Sequence, residues 1–417
     1  MKLMFLLYDF YPNFSANSLI INHLAKAFSE NGHEVHILPM TASSDFKSEE
    51  KWEQLQIHRI TKCFDKKQVV QFIHGCHFVN AVKLAVAIHI DSYQKKEYQK
   101  TSWSYYSYKR LRSIIRTCQI DIIINVCYPL EACLPVLKYI THYKKSFQWI
   151  LYMLDPFATN YYYMSRYPME DLLNFQSKIF EKADKIIVTS PIMNELKSLN
   201  KDTVLDKFQV LNFPKIIRPY ISPAVDDIWL DLHYINCIFV GKFNKETRNP
   251  LFLFRMFEGL NNERIRLYII GEERESWSEY LSPMDDHIIF YGTKSREAAV
   301  NAQLRANILV NVGNRMNNQL PSKLLEYISM GKPIINFYQR KDCPSLEYMA
   351  LYPVCLNIYQ EPPDDNRILR KLRNFIMHNR RVNISYRYIR NKFYYCTLDY
   401  VSSEFLNLFD ELMEYRG

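Results

Sequence analysis

The chain has 417 residues, more than one ordinary core fills, so two domains are expected. With 48% hydrophobic and 23% charged residues it reads as well packed and globular, which excludes a disordered chain. A net charge of +9 points to an anionic partner (nucleotide, nucleic acid or lipid surface) as readily as to plain solubility.

Nine cysteines without a C-x-x-C pair argue against a zinc site or a disulfide framework and for a reducing, cytoplasmic setting. The opening run Lys2-Leu3-Met4-Phe5-Leu6-Leu7 is short and is followed at once by Asp9 and Pro12. It reads as a first strand rather than a signal peptide. No window of about 18 apolar residues occurs, so no transmembrane helix is expected.

Short apolar runs alternate with helical stretches along the chain. A strand over 3–7 precedes an amphipathic helix over 18–30, with Leu19, Ile20, Leu24, Ala27 and Phe28 on one face and Gly32 as its stop. Strands over 35–38, 121–126, 149–154 and 185–189 follow. Such alternation predicts a parallel, doubly wound sheet. Between 212 and 233, Pro214, Pro219 and Pro223 break the pattern, which reads as a linker. Six further strands, over 238–240, 267–270, 288–291, 308–312, 333–337 and 354–358, predict a second Rossmann-like domain over 234–397. The first spans 1–213, with a last helix over 398–417 crossing back to it.

The chain has only nine glycines, and Gly241, Gly271, Gly292, Gly313 and Gly331 fall in one window of the second half. Four of them directly end a predicted strand. Ligands of open parallel sheets bind beyond the carboxyl ends of the strands, so the series favours a binding site there over ordinary turns.

The segment 320–335 reads as a helix start, a short helix, a glycine stop and a buried strand. Pro321 suits the first turn, and the free N–H groups near Ser322 and Lys323 form an anion site suited to a diphosphate. Glu326, one turn on, can accept hydrogen bonds from ribose hydroxyls; an ordinary surface Glu is the alternative. The loop Gly241-Lys242-Phe243-Asn244-Lys245-Glu246-Thr247-Arg248 sets cations where they can neutralise a leaving diphosphate, or is a solvated basic loop.

In these segments the chain resembles the group 1 glycosyltransferases of the GT-B superfamily, of the bacterial surface-polysaccharide type. The resemblance runs through Tyr11-Pro12, Leu24-Ala25-Lys26-Ala27-Phe28, Asn31-Gly32-His33-Glu34-Val35, the run from Glu181 to Ser190, Ile270-Gly271, Tyr291-Gly292 and the run from Ala306 to Val310. Its most specific part is Pro321-Ser322-Lys323 through Gly331-Lys332-Pro333.

The resemblance implies a GT-B fold of two Rossmann-like domains facing across a cleft. It implies a retaining transfer from a UDP- or GDP-linked sugar on the C-terminal domain to a glycan or lipid-linked acceptor on the N-terminal one. It implies no cofactor, no metal and no nucleic-acid partner. Donor-binding residues would be Gly241, Lys242, Arg248 (Lys245 competing), Gly271, Thr293 in the loop Gly292-Thr293-Lys294, Pro321, Ser322, Lys323 and Glu326.

Two positions depart from the family pattern. Asn318 stands where the family has the first of its two paired glutamates, and Asn cannot stabilise a cationic sugar by charge. In Met153-Leu154-Asp155-Pro156 the aspartate of a His-Asp pair remains without the histidine; Asp155 either acts on the acceptor hydroxyl or opens the next turn. The family's glycine-rich first loop is replaced by Asn13-Phe14-Ser15-Ala16-Asn17. These changes keep open a non-catalytic nucleotide-sugar or partner binder, and less so a nucleotide-sugar epimerase.

The stretch 93–116 carries Lys95, Lys96, Lys100, Lys109, Arg110, Arg112 and Arg116 against Glu97 alone, interleaved with Tyr and Trp. It suits an anionic membrane surface, hence a peripheral position on the inner face of the cell membrane. Nucleic-acid binding is the alternative for such a stretch, and a solvated helix face with packed aromatics is the bland one.

Overall fold

The computed structural model describes residues 1–12, 14–39, 46–60, 98–127, 130–199, 205–223, 228–260, 264–282, 286–316, 320, 322–360 and 365–414. Of the sequence-derived sites, Asn318, Pro321, Lys95 and Lys96 lie outside the described residues, as does the side chain of Ser322. The chain divides into two compact units, Met1–Phe213 with Leu398–Gly417, and Pro214–Thr397.

The first unit holds β1 (Lys2–Leu7), β2 (Glu34–Pro39), β3 (Glu49–Trp52), β4 (Leu55–His58), β5 (Ile122–Val126), β6 (Gln148–Met153), β7 (Lys185–Val188) and β8 (Phe208–Val210) in the order β3-β4-β2-β1-β5-β6-β7-β8. Every pairing is parallel except the β3–β4 hairpin. Strands such as Ile122-Ile123-Ile124-Asn125-Val126 are buried along their length, as a sheet covered on both faces requires.

The helix Ala16–Glu30 is capped by Ser15, whose hydroxyl accepts the Ser18 N–H, and its Phe28 ring meets Phe405 and Phe409 at 5.7 and 5.1 Å. This contact, with the Gln148 side-chain amide donating to the Leu412 carbonyl at 3.2 Å, returns the last helix, Leu398–Glu414, to the first unit. The buried face of that helix (Val401, Phe405, Leu408, Phe409, Leu412) supplies the apolar area that holds it there.

The second unit holds β9 (Ile235–Val240), β10 (Ile265–Ile270), β11 (Ile288–Phe290), β12 (Ile308–Val312), β13 (Ile334–Tyr338) and β14 (Cys355–Tyr359) in the order β11-β10-β9-β12-β13-β14. All pairings are parallel, so this is the dinucleotide-fold order with its reversal between β9 and β12. There the two strands pair only at Ile308 with Cys237 and Leu309 with Ile238.

Asn311, Asn336 and Asn357 align in register across β12, β13 and β14. Their amides link at 2.7 and 2.8 Å among mostly apolar strands. The segment after Phe213 is bonded into this unit rather than running as a linker. Ile216 bridges Thr397, Ser222 exchanges two hydrogen bonds with the Asn301 side chain, and Arg305 donates to the Ile228 carbonyl at 2.7 Å. Prolines broke its periodicity, but its backbone polar groups found partners all the same.

Candidate active site

The carboxyl ends of β9, β10 and β11 end in glycine. The N–H of Gly241 donates to the Ile270 carbonyl at 2.9 Å, and that of Gly271 to the Gly292 carbonyl at 2.7 Å. Gly271 has φ +109°, and a Cβ there would stand 2.7 Å from the Gly241 carbonyl oxygen. Only glycine lets the two strand ends approach this closely. Gly271 therefore shapes the rim through its backbone. Thr293, just beyond β11, is exposed.

The helix Ser322–Met330 follows β12 and is tied across the reversal point by its own side chain. Tyr327, fully buried, accepts the Val240 N–H on its hydroxyl at 2.8 Å and lies 3.3 Å from the Val240 carbonyl. Where β9 and β12 part, strand groups would lose ladder partners, and this hydroxyl satisfies both. Burial pushes its pKa well up, so it stays a neutral donor. Tyr327 thus ties this nine-residue helix to the end of β9, and the first-turn N–H groups of the helix have no partner within it.

Lys242 and Arg248 lie on the loop after β9. Lys242 is exposed and forms no ion pair among the described residues. Arg248 is half-buried and reaches the loop after β12, donating from Nε to Asn314 Oδ1 at 2.9 Å and from Nη1 to the Lys242 carbonyl at 3.5 Å. These partners are neutral oxygens. Burial lowers the Arg248 pKa, the expected direction for a cation without a carboxylate beside it. Its alternative, Lys245, turns outward to Glu279 at 2.8 Å and to the Tyr280 hydroxyl at 3.0 Å. Glu272 braces the loop by accepting the Phe243 N–H at 2.6 Å and the Trp277 indole N–H at 3.3 Å.

Glu326 is buried and held by three cations rather than lying on the surface. Lys323 Nζ stands 2.8 Å away, Arg296 Nη1 3.4 Å and Lys215 Nζ 3.6 Å. Burial alone would raise its pKa. Lys323, Lys215 and Arg296 together outweigh that and bring it down to about 2. Lys215 is buried as well, and burial, only partly offset by Glu326, lowers its pKa to about 8. One carboxylate among three cations leaves a local excess of positive charge near the helix start. No group of His, Cys, Asp and Glu able to hold a metal ion occurs among the described residues.

In the first unit, Asp155 follows β6, and its Oδ2 accepts from Asn17 Nδ2, on the first turn of Ala16–Glu30, at 3.1 Å. Asp9 accepts the Ser15 hydroxyl at 2.8 Å. Both carboxylates therefore flank one helix start at the carboxyl ends of β1 and β6.

Three of the surface candidates, Lys109, Arg110 and Arg112, are described on the helix Tyr98–Cys118. Arg110 pairs with Glu49 at 2.8 Å, and Arg112 lies over the Tyr143 ring at 4.8 Å. Lys109 is exposed. No described helix is long and apolar enough to cross a membrane.

The sequence reading missed Tyr327, Asn314, Arg296 and Lys215. Tyr327 adjoins Glu326 in a recognised segment, and its polar tip on an apolar body was the available signal. Lys215 sat in the presumed linker and gave none.

Two doubly wound sheets, parallel but for the β3–β4 hairpin and with glycines following the first strands of the second, make up a GT-B fold. Solved structures agree over essentially their full length. Sucrose-phosphate synthase from Thermosynechococcus elongatus is 13% identical, with 100% of each chain covered and a TM-score of 0.68. The lipopolysaccharide outer core galactosyltransferase WaaB is 15% identical, covering 99% of this chain and 100% of its own, at 0.59. The E. coli trehalose-6-phosphate structure bound with UDP-2-fluoro glucose is 12% identical, covering 98% and 99%, at 0.61. No curated protein matches the sequence. Residues 235–345 match the family model of the glycosyl transferases group 1. That match lies within the second unit.

Proposed function

We propose that the chain transfers a sugar with retention of configuration from a UDP- or GDP-linked donor, held on the second unit, to a glycan or lipid-linked acceptor held on the first. The observation that carries this reading is that Lys242 and Arg248, on the loop after β9, form no ion pair with a carboxylate among the described residues, in the unit that also holds the helix Ser322–Met330. A nucleoside diphosphate supplies the charge these groups lack. As the glycosidic bond breaks, negative charge grows on the distal phosphate. Cations and helix N–H groups already in place stabilise that charge without reorganising.

Gly241 and Gly271 let the backbone approach the donor, Glu326 takes the ribose hydroxyls with Lys323 beside it, and Thr293 lies by the base. Asp155 orients the acceptor hydroxyl, and Asn318 is assigned to the transferred sugar by its place in the family's sequence pattern alone. Among structures of like fold, one is named for a lipopolysaccharide galactosyltransferase and another holds a UDP-sugar analogue. These support a surface-polysaccharide role and a UDP donor. A peripheral position on the cytoplasmic face of the membrane, through Lys109 and its neighbours, accords with a lipid-linked acceptor.

The test is product analysis. The enzyme is incubated with UDP- and GDP-sugars and lipid-linked glycan acceptors. The reading expects nucleoside diphosphate release that depends on acceptor, with the donor's anomeric configuration kept in the NMR spectrum of the product. An inverted anomer would remove the retaining assignment, and release without acceptor would remove the transfer.

A further inference from the structure

Lys215 is the most deeply buried lysine of the second unit at 4% exposed, and no part of the transfer scheme above uses it. Its ammonium stands 3.6 Å from Glu326 Oε1. The charged groups facing it are Glu326 and Lys323 of the helix Ser322–Met330 and Arg296 at the start of the helix Arg296–Arg305. The Tyr386 hydroxyl, from the helix Tyr386–Lys392, donates to the carbonyl of the next residue, Ile216, at 3.2 Å. A lysine buried beside two like charges and one carboxylate is held in its charged form only weakly.

We infer that Lys215 is a positioning residue of the donor site, which fixes the Glu326 carboxylate and takes up a proton when the nucleotide binds. The inference rests on the reading of this site as the donor site. Glu326 is one turn from the helix start at which the diphosphate would sit, so its negative charges come within about 8 Å of the amine. At an effective dielectric of about 20, each such charge raises proton affinity more than tenfold. An amine already this buried has little hydration left to lose, so the new charges dominate.

In the free protein the Lys215 pKa is about 8, so much of the amine is neutral above that pH. Binding then draws a proton from solvent. No covalent step is involved; the proton comes from the buffer and goes to Nζ.

The experiment is calorimetric titration of the full chain with UDP and GDP at pH 8.5, in buffers of different ionisation enthalpy, repeated from pH 7 to 9. Free lysines and histidines barely change charge at pH 8.5. For wild type the expected result is uptake of roughly 0.7 proton per nucleotide at pH 8.5, with affinity about tenfold weaker at pH 9 than at pH 7. Lys215→Arg keeps a fixed charge, so it retains binding within a few-fold while uptake and pH dependence disappear. Lys215→Met, checked for folding by circular dichroism, binds more weakly and takes up no proton. Binding without proton uptake in wild type, or uptake that persists in Lys215→Arg, overturns the inference alone. Failure of both nucleotides to bind at pH 7 overturns the donor-site reading and this inference with it.

Discussion

The Tyr327 hydroxyl accepts the Val240 N–H at 2.8 Å, so one side chain fixes the helix Ser322–Met330 against the strand whose end opens the site. Tyr327→Phe keeps the ring and leaves a buried N–H without a partner. Loss of about 1–3 kcal/mol of stability follows. Chemical denaturation of the variant checks this, and nucleotide affinity falls as well because the helix start loses its anchor.

Arg248 and Lys245 separate cleanly by experiment. Arg248→Ala removes a half-buried cation held by Asn314 and weakens nucleotide binding by about 10- to 100-fold, the range of a charge-assisted hydrogen bond. Lys245→Ala, whose amine is exposed and already paired with Glu279, changes affinity less than twofold. Asn314→Ala frees the guanidinium and gives an intermediate loss. Titration calorimetry on the three variants reads the order.

The Glu326 cluster gives the second unit a defined pH response. Its folded pKa of about 2 lies below the ordinary 4.5, so its stabilisation is complete above about pH 4.5 and is lost as pH falls toward 2. Lys215 acts at the other end. Its folded pKa, about 8, lies below the ordinary 10.5, so the unfolded chain binds more protons between those values and stability rises with pH there. Melting curves of Lys215→Met lack the alkaline rise, and those of Glu326→Gln lack the acid loss.

The asparagine row across β12, β13 and β14 is a buried polar network. Asn336 is fully buried, and its amide donates to the Asn357 side chain at 2.8 Å and to the Ser345 hydroxyl at 3.1 Å. Asn336→Ala opens a small cavity and leaves Asn311 without its acceptor. About 2–3 kcal/mol of stability is lost, measurable as a lowered denaturation midpoint.

The apolar strands announced themselves because strands buried on both faces need unbroken apolar runs; the segment read over 308–312 is the strand found. Gly32, read as a helix stop, has φ +83°. The hairpin β3–β4 escaped because Glu49-Glu50-Lys51-Trp52 carries three charges, and its pairing comes from the turn and from tertiary contact with β2. In the candidate site, Lys242 and Arg248 stood out because their loop follows a glycine-ended strand. The burial of Glu326 was not visible. It depends on Lys215 and Arg296, which are 111 and 30 residues away in sequence and meet it only through the fold.

The most direct test of the account is a calorimetric panel of UDP, GDP, ADP and dTDP against the wild-type chain, Lys242→Ala and Arg248→Ala. The account predicts micromolar binding of one nucleotide, UDP or GDP, weakened at least tenfold in both variants. No binding to any of the four, or binding that both substitutions leave intact, would contradict the placement of the donor at the β9–β12 reversal.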